Sequence, residues 1–198
     1  MSLKYGLSVN DFIGEIRLDL SNDNNVRTNF EAIANQVMDD VLRDLMNDSL
    51  YNNFIADLVN NIPQTQKYLD LLNGKTYTRT SGEKKIYEGL KRMLRYFVYE
   101  AYIDFQHTSN SSLGQTMANT ENSQVITRGQ LRKVRSVIQN KAVNLYGKAI
   151  QFINDNYQTY FTGSDYSFWK PTQKRYLGKI TSMTFSNLYF YNKSSESN

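Results

Sequence analysis

The sequence predicts a mainly α protein, a small helical bundle with a short β-hairpin and an extended C-terminal arm. Three observations predict it. Residues 28–45 and 127–156 repeat apolar side chains at three- and four-residue spacing, the period of an amphipathic helix. Residues 88–107 are apolar around much of a helical circumference, which suits a central buried helix. Lys75 to Tyr87 instead alternates about Ser81-Gly82, a turn dipeptide, and so predicts the hairpin.

The elements follow in order. Ile16-Arg17-Leu18-Asp19-Leu20 alternates apolar and polar residues and predicts a short half-buried strand, followed by a loop at 21–25. From about Thr28, a helical stripe of Phe30, Ile33, Val37, Val41 and Leu45 opposes a face bearing Glu31, Asp39, Asp40, Arg43 and Asp44. Leu50, Phe54 and Leu58 predict a second helix that ends near Asn60-Asn61, just before Pro63. Gln64 to Leu72 predicts one or two helical turns, closed by Asn73-Gly74.

After the hairpin, Gly89-Leu90 opens the central helix, with Leu90, Leu94, Phe97, Val98, Ala101, Ile103 and Phe105 on it. Residues 108–125 are rich in Ser, Asn, Thr, Gln and Gly and read as an exposed loop, long enough to suggest a functional role. Thr127-Arg128-Gly129-Gln130 fits a capping box opening a helix to about Asn156. Its stripe is Leu131, Val134, Ile138, Ala142, Leu145, Ala149 and Phe152. Beyond Gly163 the periodicity fails, while aromatic residues persist through Phe168-Trp169 to Tyr189-Phe190-Tyr191. The expected organisation is a strand and loop segment at 1–27, a helical domain at 28–162 and an aromatic arm at 163–198.

Composition narrows the chemistry. With no cysteine, the chain has no disulfide, thiol nucleophile or thiolate metal site. A single histidine, His107, rules out a multi-histidine metal centre within one chain. No apolar run approaches the length of a membrane span, and the start lacks the pattern of a signal peptide. Residues 1–60 carry 4 basic and 10 acidic side chains, a local charge of −6; residues 61–198 carry 19 and 9, a charge of +10. Such a split suits head-to-tail contact between copies, and equally suits two differently charged solvated faces.

Individual motifs weigh little. Gly74-Lys75-Thr76 matches the end of a nucleotide-binding P-loop, but the glycine required five residues earlier is Leu69, and strand-like residues follow. His107 has Asp104 one turn back and Ser109, Ser111 and Ser112 ahead, which is ordinary loop composition rather than a catalytic set. Asp40, Asp44 and Asp48 align on one helix without the Glu-x-x-His partners of a helical metal site, and read as a solvated acidic face. Arg128, Arg132, Lys133 and Arg135 form a basic stripe that resembles a phosphate-contacting surface, and more readily reads as an interface or a solvated face. Lys84, Lys85, Lys91, Arg92 and Arg95 read in a similar way, and the last three flank an apolar stripe, as expected on any helix edge.

The order of elements resembles a known family. Tyr68-Leu69-Asp70-Leu71-Leu72-Asn73-Gly74-Lys75-Thr76-Tyr77, then a hairpin, then Tyr87-Glu88-Gly89-Leu90-Lys91 and its tyrosine-rich continuation, is similar to the head–tail connector proteins of tailed bacteriophages. The version in phages of Bacteroidetes hosts, including crAss-like phages, is the nearest in pattern. The resemblance covers roughly residues 28–160, and the tail after Gly163 is longer and more aromatic than that domain requires.

The resemblance implies a non-enzymatic structural protein of the virion, assembled in the host cytoplasm without a cofactor. It implies a ring, commonly twelve-fold, beneath the portal at the head–tail junction. The ring would extend the DNA channel without sequence-specific binding and would carry tail or further ring proteins. The expected subunit contact sets Asp39, Asp40 and Asp44 against Arg128, Arg132 and Arg135 of a neighbour. The expected portal-binding arm uses Tyr176, Ile180, Phe185, Leu188, Tyr189, Phe190 and Tyr191. An accessory nucleic-acid-binding protein using the basic stripe is the alternative.

Overall fold

A computed structural model describes residues 3–20, 22–107, 109–111, 114–116, 128–156 and 161. The fold is mainly helical. Helix α1 spans Asn24–Leu45, and Asp23 caps it by accepting from the Asn25 amide at 2.8 Å. Helix α2, Asp48–Ala56, is capped in the same manner by Asn47, which accepts from the Leu50 amide at 2.7 Å. Such caps satisfy amide groups that the first helical turn leaves without partners.

A small antiparallel pair follows, β1 at Leu58–Val59 and β2 at Ile62–Pro63. The two residues between them, Asn60 and Asn61, both hold positive φ, 51° and 64°. Asparagine tolerates that conformation, which matches the twist of a two-residue hairpin. The expected second helix therefore stops earlier, at Ala56, and Asn60-Asn61 is a hairpin turn rather than a helix end.

Helix α3, Gln66–Asn73, ends on Gly74 at φ +93°. Strands β3, Lys75–Thr78, and β4, Lys84–Tyr87, pair in antiparallel register from Lys75↔Tyr87 to Thr78↔Lys84, as the sequence predicts. Helix α4, Leu90–His107, comes next. Between the central helices, β5 at Ser109–Ser111 pairs with β6 at Gly114–Thr116, so part of the expected loop is a strand pair. Helix α5 spans Arg128–Asp155.

Packing order comes from the contacts. Phe30 near the start of α1 meets Tyr102 and Phe105 near the end of α4, both with ring centroids 5.5 Å away. Arg135 early in α5 reaches Asp104 at 2.9 Å, while Lys148 late in α5 reaches Glu88, just before α4, at 2.7 Å. Helix α4 thus lies antiparallel to both α1 and α5 and packs against each. The hairpin seats on the end of α5: Tyr87 stacks on Phe152 at 4.3 Å, and Tyr77 meets the same ring edge-on at 5.2 Å.

Two expectations about the first third of the chain change. Residues 16–20 do alternate between buried and exposed, with Ile16 and Leu18 buried, but among the described residues they pair with no strand. The segment 3–20 is an irregular strap with three single 3-10 turns, Lys4–Gly6, Val9–Asp11 and Gly14–Ile16. Its Leu3, Tyr5, Leu7, Phe12, Ile16 and Leu18 enter the same core as the helices. On α1 the buried face is Phe30, Ala34, Met38, Val41, Leu42 and Leu45, so Ile33 is exposed and Val37 only partly buried. The contact face is rotated by about one residue from the expected stripe, with Ala34 and Met38 buried where Ile33 and Val37 were expected.

Candidate assembly interface

At the base of the β3–β4 hairpin two backbone segments cross. Gly74 and Gly89 both hold positive φ, +93° and +84°. A Cβ on Gly74 would lie 2.5 Å from the Tyr87 carbonyl oxygen, and one on Gly89 would lie 2.6 Å from the Gly74 nitrogen. Only glycine allows both the conformation and the approach. The Tyr87 hydroxyl donates to the Leu71 carbonyl at 3.0 Å, fastening β4 to α3. Lys75, which gave the P-loop its resemblance, pairs with the buried Asp70 at 2.8 Å, and Asp70 also accepts from Gln66. The ammonium faces a carboxylate rather than a phosphate cradle.

Charged groups along α5 tie it to its neighbours. Arg135 reaches Glu100 at 3.3 Å and Asp104 at 2.9 Å on α4. Lys141 reaches Glu15 of the strap at 2.6 Å, and Tyr96 of α4 donates to the same carboxylate at 2.8 Å. Lys148 meets Glu88, which also pairs with Arg92. Asp155 accepts from Arg79 at 2.7 Å and from the Tyr77 hydroxyl at 2.7 Å. Hydrogen bonds from Lys141 and then Tyr96 hold the Glu15 carboxyl below its ordinary value, and Lys148 does the same for Glu88. Burial, reinforced by Asp155, raises the Tyr77 hydroxyl.

These contacts redistribute the expected interface. Asp39 accepts from Lys4 and from the Tyr5 hydroxyl, each at 2.6 Å, so it holds the strap. Burial and then Asp39 push the Tyr5 hydroxyl far up, and it stays a neutral donor. Arg135 is engaged with α4 as described. Asp40 and Asp44 sit half-buried on α1, and Arg132 is exposed on α5. Arg128 is the first residue of α5. Arg95 departs from its expected place on a solvated edge: it donates to the Asp11 carbonyl at 2.7 Å, and its Nε is buried without a hydrogen-bond partner.

His107 is the last residue of α4, where the sequence places it. The expected arm residues, Tyr176 to Tyr191, lie outside the described residues. Among the described residues no group of three or more His, Cys, Asp or Glu side chains could hold a metal ion. None of their helices is long and apolar enough to cross a membrane. Sequence reading missed Glu15, Asp70, Arg79 and Asp155. Glu15 and Lys141 lie 126 residues apart and Tyr77 and Asp155 78 apart, and no local pattern signals such pairs.

A family model matches residues 42–168. The chain belongs to DUF6712, a family of unknown function. No curated protein and no solved structure matches the chain. The DUF6712 stretch takes in the crossed glycines, both described hairpins before α4, and the whole of α5. It starts at Leu42, near the end of α1, so the strap and most of α1 precede it while contributing Leu3, Phe30 and Met38 to the same core.

Proposed function

We propose that this DUF6712 protein is a non-enzymatic structural subunit of a phage virion, forming a ring under the portal that joins capsid to tail and extends the DNA channel. The observation that carries the reading is the helix–hairpin–helix unit from Tyr68 to Tyr99, in which Gly74 and Gly89 let α3 and α4 meet across the hairpin base. The segment that resembles the connector family in sequence contains this close backbone crossing, and Lys75 of its Gly-Lys-Thr pairs with Asp70. Ion pairs tie α5 to α4, to the strap and to the hairpin, which suits a protein whose work is assembly.

In this reading each copy places one face against a different face of the next, and the contact closes by rotation. The arm at 176–191 reaches the portal, and no sequence-specific contact is made with DNA in the channel. Electron microscopy of the purified protein with a candidate portal tests it directly. Closed rings stacked on the portal are the expected result; a monomer that ignores the portal would refute it.

The exposed Arg132 and Lys133 favour a second reading, an accessory nucleic-acid-binding protein. Binding to duplex DNA that falls steeply as salt rises is its expected signature.

A further inference from the structure

We infer that the first half of α5 docks on the outer edge of α1 in a second copy of this chain. The inference rests on the ring reading and names the contact through which the ring would close.

Among the described residues, both faces are incompletely covered within one chain. On α5, Val134 and Val137 are 46% and 52% exposed, and the neighbouring Lys133 is exposed as well. Val137 lies one turn from both Val134 and Lys133, so two aliphatic side chains and a cation share one ridge. On α1, Ile33 is 37% exposed, with the partly buried Val37 and Asp40 following at i+4 and i+7 along the same edge. Each helix therefore offers an apolar strip with charge at its border.

The charges are complementary. Residues 24–56 carry 2 basic and 5 acidic side chains, and α5 carries 6 basic and 1 acidic. Pairing inside the chain engages Asp39, Arg135, Lys141, Lys148 and Asp155. Among the described residues, Arg132 and Lys133 of α5, and Glu31 and Asp40 of α1, have no ion pair. Lys133 stands beside the exposed valines, and Asp40 lies on the edge of α1 that carries Ile33 and Val37. A second copy supplies both the opposite charge and the missing apolar cover, on two different surfaces, as a ring contact requires.

The absence of native cysteine makes the contact directly testable in the full chain. Ile33→Cys and Val137→Cys proteins, one carrying a mass tag, are mixed and oxidised after circular dichroism shows native helix content for each. A mixed disulfide between the two is expected. Lys133→Glu in the Val137→Cys protein is expected to lower its yield about fivefold, the effect of one lost exposed ion pair, and Asp40→Lys in its partner to restore it. Absence of the mixed disulfide, or a yield indifferent to Lys133→Glu, overturns the inference. So does loss of duplex DNA binding in Lys133→Glu at unchanged disulfide yield, which would assign the cations to nucleic acid.

Native mass spectrometry of the unaltered chain separates the two levels. Rings without the mixed disulfide overturn this contact alone, and monomers throughout overturn the ring as well.

Discussion

Gly74 and Gly89 each face two demands at once, a left-handed backbone and a neighbouring main chain inside van der Waals distance. Gly82 at the hairpin tip has φ +85° but open space around it. The three glycines therefore separate strain from crowding. Gly82→Ala is expected to cost about 1–2 kcal/mol, the strain of the conformation alone. Gly74→Ala and Gly89→Ala add a clash with backbone that has no rotamer to escape into, and should each cost more than about 3 kcal/mol. Urea midpoints of the three variants check the ranking; equal losses would show that the crossing is looser than the distances state. The sequence revealed Gly74 as a helix stop, since a glycine after an apolar run is a local signal. Its crossing with Gly89 was hidden, because the approach depends on how closely the hairpin returns.

Helix α5 shows what one element can and cannot disclose. Its start, its end and most of its buried stripe follow from spacing, whereas the partners of Lys141, Lys148 and Asp155 do not. Those partners make stability depend on pH. The folded-state values of Glu15 and Glu88 are depressed, so their contribution is present above the ordinary carboxylate value of about 4.3. It is lost as pH falls through the depressed values. Lys141→Met and Lys148→Met should each flatten the fall in urea midpoint between about pH 6 and pH 3, and added salt should do the same to the parent. An unchanged slope in both variants would show that other carboxylates carry the acid sensitivity. The small strands failed differently. Two residues per strand in β1 and β2 leave no alternation to read, and only the Asn60-Asn61 turn marks the hairpin.

At the scale of the molecule, the strap decides whether the helices form a closed core. Period-two alternation at 16–20 announced a half-buried strand. The alternation of buried and exposed side chains is there, but Ile16 closes a 3-10 turn, no strand forms, and the pattern could not say that a helical surface lay beneath. The surface is helical: the Tyr102 hydroxyl receives the Asp19 amide at 2.9 Å, Arg95 reaches the Asp11 carbonyl, and Asp39 grips Lys4 and Tyr5. Six large apolar side chains of the strap are buried, each worth about 1.5–3 kcal/mol. Their sum reaches the total stability of an ordinary domain, about 5–15 kcal/mol. Deleting residues 1–20 should therefore abolish cooperative unfolding and leave a state that binds a hydrophobic dye, even though the whole DUF6712 match remains. Calorimetry and dye fluorescence on the shortened chain check this. A sharp transition near that of the full chain would mean that the helices close their core alone, and that the strap is a surface dressing despite its burial.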